Sequence, residues 1–356
     1  MPRIFRPWPR GESAIVRDVR SIRRLYDDGA AGCELRPTAI AAHNERFDDA
    51  IRAAGGWPAG DDAARVFQLE DYGDGKLCLN FLDVVKLYPA AFPGPAQQRG
   101  DCVSHSQRTA DLVTVCCEVE RGEPDSITGL VEGAPDIPTV GQKNGCFSSE
   151  WPYWHRGSRS DGWICGAAAI VSTQHGAMVR RRYTDTLDLT TYSGELAGRY
   201  GRNAPPDEFE TIGRQHLIRT ATRVTGLEQL RDFVAAGFGV SSCGSESFSS
   251  ARNEHGVSKR TRAGWSHAMA ITSVDARASS IDVYGSPLFL IQNSWGVWNR
   301  GPREIRDAAD GTGSPVLIPR GSFWARWKDI KRRTFYAMSS AAGWKPKRLH
   351  RIKTRW

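Results

Sequence analysis

Apolar residues recur at helical intervals in several stretches of the chain. Within residues 13–26, Ile15, Val19, Ile22 and Leu25 form one stripe on an otherwise charged segment, and residues 39–54 have a similar spacing. Gly55-Gly56-Trp57-Pro58 and Gly73-Asp74-Gly75 interrupt the pattern. Residues 1–80 therefore read as a small, mostly helical region with an exposed link to the rest of the chain. Farther along, 104–120 fits one helix with Ala110, Val113 and Cys117 on a shared face, and 167–176 a second, short one ended by Gly176. The clearest amphipathic helix is 226–237, with Leu227, Leu230, Phe233 and Val234 inward and Gly237 as its stop. Residues 238–243, 268–274 and 288–292 are apolar or alternating runs of strand length between Gly, Ser, Asn and Asp. Helices gather in the first half and strands in the second, which predicts an α+β fold rather than an alternating parallel sheet.

Composition narrows the function classes. The chain has 356 residues, 40% hydrophobic and 25% charged, enough for a substantial core in one large or two smaller domains. No apolar run approaches a membrane span, and Met1 and its neighbours (MPRIFRPWPR) lead into charged sequence rather than an apolar signal core. The expectation is no membrane insertion and a cytoplasmic or particle-associated protein. The net charge of +8 is concentrated in places, chiefly the tail KPKRLHRIKTRW at 345–356 and the Arg-rich 17–24. Such runs read as solvated tails or helix faces, so nucleic acid is not expected as the main partner. Eight cysteines are too sparse for a disulfide scaffold and contain no CxxC pair, so reduced thiols are expected.

Three short segments carry the candidate chemistry. In QQRGDCVS, Cys102 follows Gly100 and Asp101 and opens a helix, where the helix dipole and free backbone N–H groups favour thiolate. Gly264-Trp265-Ser266-His267 enters a strand, so His267 can exchange a proton with the thiol and later with a leaving amine. The strand at 288–292 ends in Asn293-Ser294-Trp295-Gly296. There Asn293 can fix the other imidazole nitrogen, and Trp295 can shield that bond from water.

In their order and approximate spacing these segments resemble the papain-like cysteine peptidases, and Asn-Ser-Trp-Gly followed by Trp298 is highly specific to them. The resemblance extends over roughly residues 83–340. It implies a two-lobed fold with a helical left lobe, an antiparallel β-rich right lobe and the active-site cleft between them. It also implies a peptidase domain over 81–342, flanked by the extension 1–80 and a basic tail 343–356. By position, Cys102 becomes the nucleophile, His267 the general base and acid, Asn293 the orienter and Trp295 the shield. The family's oxyanion-hole Gln lies six residues before the nucleophile, where this chain has Ala96. A loop shortened by one residue would give that role to Gln97, with Gln98 as the alternative. Val103 stands where the family has an aromatic residue. Arg99 replaces the Cys that forms a disulfide in secreted relatives. Glu246, Ser247 and Trp265 fall where relatives line the substrate cleft.

The other chemistry-bearing residues have plainer readings. Cys116, Cys117, Cys146, Cys165 and Cys243 are expected as core or loop thiols, and His105 as a structural or cleft-lining residue. His155 and His175 show no ligand spacing, so no metal or other cofactor is expected. Trp151, Trp154 and Trp163 are expected to staple a long inserted loop. The implied activity is cysteine-type peptide hydrolysis on a polypeptide substrate. Residues 1–80 would act either as a propeptide-like segment or, with the basic tail, as a docking surface. The alternatives are an assembly protein that keeps the fold and an acyl transferase sharing the same acyl-enzyme.

Overall fold

A computed structural model describes residues 69–120, 146–157, 161–200, 203, 205–218, 220–309 and 315–339. The helices expected at 13–26 and 39–54, the Pro- and Gly-rich stretch after residue 120 and the basic tail lie outside the described residues.

The elements are β1 (Leu77–Cys78), α1 (Phe81–Leu87), α2 (Cys102–Glu120), α3 (Glu150–Trp154), α4 (Cys165–Gln174), α5 (Gly194–Gly198) and α6 (Asp207–Gly213). Next in the chain come β2 (Thr220–Val224), α7 (Leu227–Ala235), β3 (Val240–Arg252), β4 (Ser258–Asp275), α8 (Ala278–Tyr284) and β5 (Leu288–Gln292). The remainder is β6 (Glu304–Ala309), β7 (Pro315–Leu317), β8 (Ser322–Arg326), α9 (Trp327–Ile330) and β9 (Thr334–Ser339). The fold is α+β: one antiparallel sheet runs β2-β9-β3-β4-β5-β8, with β1 paired to the end of β4 and β6 and β7 forming a separate ribbon. The packed body begins earlier than residue 81. Leu69 is fully buried against the α7 core, and the Gly73 amide donates to Asp232 Oδ1 at 2.8 Å.

Helix α2 sits between the helical layer and the sheet, buried along almost its whole length, polar residues included. Several of those polar groups are satisfied by partners on the sheet and the neighbouring helix. Ser106 Oγ meets Ser241 Oγ at 2.9 Å, and Thr114 Oγ1 donates to Met338 O at 2.9 Å while accepting from the Gly239 amide at 3.0 Å. Gly239 permits this approach, because a Cβ there would stand 2.0 Å from Ala110 O. Such packing fixes the axial position of α2 and so the place of its first residue, Cys102.

Register fixes the other side. Ala270 of β4 pairs with Gln292 of β5, so the end of β5, where Asn293 comes next, reaches the part of β4 that holds His267. β3 and β4 run much longer than the apolar cores expected at 238–243 and 268–274. Register shifts after Gly244, Glu246 and Phe248 bend their polar ends together.

One expectation about the thiols is overturned. Cys165, the first residue of α4, and Cys243 of β3 are joined as a disulfide with Cα atoms 6.1 Å apart. The bond ties the helical layer to the sheet across a sequence separation of 78. Cys102, Cys116, Cys117 and Cys146 are buried and take no part in that disulfide. The stapling role of Trp151 and Trp154 holds: their indole N–H groups donate to Gly176 O at 3.0 Å and Leu196 O at 2.8 Å.

This packing has two measurable consequences. Asp111 accepts from Gln107 Nε2 at 2.8 Å and Ser172 Oγ at 2.7 Å, yet burial outweighs both bonds and raises its carboxyl to about 7. The folded state then holds a proton that the unfolded chain releases near pH 4, so stability falls as pH rises from about 4 to about 7, by about 4 kcal/mol at most. The stability advantage of Asp111→Asn over wild type in urea denaturation should be larger at pH 8 than at pH 5; an equal difference at both pH values would contradict the assignment. Reducing the disulfide should lower unfolding free energy by about 2–4 kcal/mol. A Cys165→Ser/Cys243→Ser variant should show the same loss and no further response to reductant.

Candidate active site

Cys102 begins α2 and is fully buried. The amides of Ser104 and His105 return to Asp101 O at 3.0 and 3.2 Å, closing the first turn around it. The positive end of α2 therefore bears on the thiol. The sheet meets it from the other side: the Ala268 amide, next in chain to His267, donates to Cys102 Sγ at 3.4 Å.

His267 Nε2 and Asn293 Oδ1 are 2.8 Å apart, both residues being buried. A neighbour fixes the direction of this bond. Asn293 Oδ1 also accepts from the Ser294 amide at 2.7 Å, and a backbone N–H can only donate, so the atom at that position is the oxygen. His267 Nε2 must then carry the hydrogen. In the neutral ring Nδ1 is left as the acceptor, and that buried atom makes no hydrogen bond among the described residues.

An aromatic cluster holds the pair in place. The Trp295 ring stacks on His267 at 4.6 Å and 23°, and Trp265 and Trp298 pack edge-on to Trp295 at 4.9 and 5.5 Å. Behind them, Gly321 O accepts from Trp298 Nε1 at 3.2 Å and from the Asn293 amide at 3.2 Å. Gly321 has φ +79, and a Cβ there would stand 2.4 Å from Gly296 O. Glycine is needed for the two loops to meet.

Trp265, expected at the substrate cleft, is instead a core residue. It lies two positions before His267 on β4, so it shares that face of the strand and enters the same ring cluster. Ser247 is also inward, its hydroxyl bonded to Ala263 O and Thr261 Oγ1. Glu246 is buried with Oε2 at 3.7 Å from Arg333 Nη1.

Sequence reasoning missed Arg333. Its fully buried guanidinium donates from Nη2 to His267 O at 2.6 Å and to Ser242 O at 3.1 Å, and from Nε to Ser242 Oγ at 2.9 Å. One cation thus clamps the backbone of His267 to β3. Arg333 lies 66 residues from His267, in a turn with no periodic pattern, so no local signal marks it.

The two glutamines separate. Gln97 is buried and joined to the Asn293 segment: its amide donates to Ser294 O at 2.8 Å, and its Oε1 accepts from the Ser294 hydroxyl. Its Nε2 donates to Arg99 O at 2.9 Å. Gln98 points the other way, accepting from the Gly194 amide at 2.8 Å. Arg99 donates from Nε to Asp161 Oδ1 at 2.6 Å, an ion pair. His105 has the structural role, 3.6 Å from Asp101 Oδ2 and edge-on to Tyr192 at 4.8 Å. Tyr192 donates to Asp101 Oδ2 at 2.7 Å, and burial keeps its phenol strongly protonated.

His155 and His175, separate in sequence, meet Glu210 in the inserted helical region.

No protein-family model matches the chain, and no curated protein sequence matches it. Solved structures do. A cysteine protease from Xylella fastidiosa, xylellain, is 14% identical with a TM-score of 0.41, covering 73% of this chain and 88% of its own. The ragweed pollen allergen Amb a 11, a cysteine protease in its proform, is 13% identical with a TM-score of 0.43, covering 98% and 77%. Procathepsin B S9 from Trypanosoma congolense is 10% identical with a TM-score of 0.38, covering 74% and 76%. The chain is similar in fold to papain-like cysteine proteases.

Proposed function

We propose that the protein is a cysteine peptidase acting through a Cys102 acyl-enzyme. The observation that carries this reading is the direction of the His267 to Asn293 bond, which leaves Nδ1 as the basic nitrogen of a ring set beside the Cys102 strand contact. His267 takes the thiol proton at Nδ1, and the Cys102 sulfur attacks the substrate carbonyl carbon. The carbonyl oxygen gains the negative charge of the tetrahedral intermediate. The Cys102 amide and Gln97 Nε2 stabilise it, the latter after leaving its present acceptor, Arg99 O. The C–N bond then breaks, and His267 returns its proton to the departing amine. A water deprotonated by His267 attacks the thioester, releasing the acid and the free thiol. Asn293 keeps Nδ1 aimed at the sulfur throughout, and Trp295 keeps water from the bond that does so.

Glu246 and Arg333 support the backbone of β3 and β4 around His267, and we assign them no contact with substrate. A polypeptide is the substrate class this chemistry takes, and no described helix is long and apolar enough to cross a membrane. An irreversible thiol-directed peptidase inhibitor should add one mass increment to the wild-type chain, at Cys102, and none to Cys102→Ala. Equal labelling of both would refute the nucleophile. On a cleaved peptide substrate, His267→Ala should lower kcat by about 10²–10⁴-fold.

A further inference from the structure

Outside the Cys102 site, one group of side chains has the composition of a metal centre. His155 caps the end of α3, His175 caps the end of α4, and Glu210 lies on α6. One ligand atom from each lies within 4.8 Å of the other two. His175 Nδ1 is 2.7 Å from Glu210 Oε2, and His155 Nδ1 is 3.5 Å from Glu210 Oε1. The two imidazole rings are 4.2 Å apart, centre to centre.

The group is built into the fold. The Trp151 ring stands edge-on to His155 at 4.7 Å, fixing that imidazole from behind. Trp151 also anchors the turn after His175 through its bond to Gly176 O. Gly176 and Gly213 allow the ends of α4 and α6 to touch, since a Cβ on Gly176 would lie 2.1 Å from Gly213 O. His155 Nε2 is buried and makes no hydrogen bond among the described residues. His155 thus offers a buried ring nitrogen without a hydrogen bond beside a carboxylate that its other nitrogen and His175 share, an arrangement with a chemical use that hydrogen bonding alone does not supply.

We propose that His155, His175 and Glu210 form a binding site for a zinc-class divalent cation, with the fourth position open to water. Two imidazoles and one carboxylate are a common open zinc set. Ligand atoms around a tetrahedral zinc stand about 3.3 Å apart. The closest pair here is already inside that spacing, and the widest must close by about 1.5 Å, within reach of side-chain rotation at helix ends. Arg214 Nε, 3.7 Å from Glu210 Oε2, is the one opposing cation near the carboxylate among the described groups, and its side chain is 57% exposed, free to swing to solvent. The bound cation would join the ends of α3 and α4 to α6, beside the Trp151 and Trp154 cluster. The site is therefore a stabilising staple of the inserted region and is independent of the Cys102 chemistry.

The test uses the full chain carrying Cys102→Ala, so that zinc cannot bind the Cys102 and His267 pair. Zinc titration by calorimetry, and cobalt titration by visible absorption, should each give one site, with a cobalt spectrum of nitrogen and oxygen ligands and no thiolate charge-transfer band. His175→Ala and Glu210→Gln should each weaken binding by about 100-fold or more. Zinc should raise the melting temperature of the parent and not of either variant. His175 caps the end of α4 and Glu210 lies within α6, both with partly exposed side chains, and circular dichroism confirms that each variant is folded before titration. No binding by the folded parent, or equal binding by parent and variants, would overturn the proposal.

Discussion

The candidate site depends on one hydrogen bond, from His267 Nε2–H to Asn293 Oδ1. Its direction is set by a neighbour: the Ser294 amide, donating to the same oxygen, forbids the amide group from turning over. A short backbone-to-side-chain contact within one residue of Asn293 thereby decides which imidazole nitrogen carries the hydrogen in the neutral ring. Everything around the pair serves to hold it. The Trp295, Trp265 and Trp298 rings exclude water, Gly321 lets the supporting loop come close, and Arg333 fixes the His267 backbone.

The second constraint is the position of α2. Its polar residues are buried because the sheet supplies partners at matching heights, Ser241 for Ser106 and the Met338 carbonyl for Thr114. Such a helix cannot slide without leaving buried donors unpaired, at about 1–3 kcal/mol each. Cys102 is held at the sheet by the remote end of the same helix, together with the Cys165 to Cys243 disulfide that joins α4 to β3. Cys102 and His267 thus belong to separate layers locked together by polar and covalent contacts.

Much of this arrangement is legible in the sequence. Periodicity marks α2, α4 and α7 to within a few residues, because each has an apolar stripe and a glycine or capping residue to end it. The strands at 268–274 and 288–292 stand out as apolar runs, and the Asn-Ser-Trp-Gly corner marks the end of the second. Their polar extensions do not, since the ends of β3 and β4 are held by register shifts and cross-strand bonds rather than by hydrophobic pattern. Trp265 is easily misplaced because its neighbour His267 draws it toward the cleft, whereas strand parity sends both into the ring cluster. The disulfide, Arg333 and the meeting of His155 and His175 with Glu210 all join residues far apart in the chain, and no spacing rule reaches across 78, 66 or 35 positions.

The most direct measurement is nitrogen-15 NMR of histidine-labelled Cys102→Ala protein at pH 9. His267 should be the Nε2–H tautomer, with a hydrogen-bonded Nε2 proton that is lost when Asn293→Ala is added. A His267 ring in the Nδ1–H form, or one unchanged by Asn293→Ala, would contradict the assigned direction of the bond and the role it gives Nδ1.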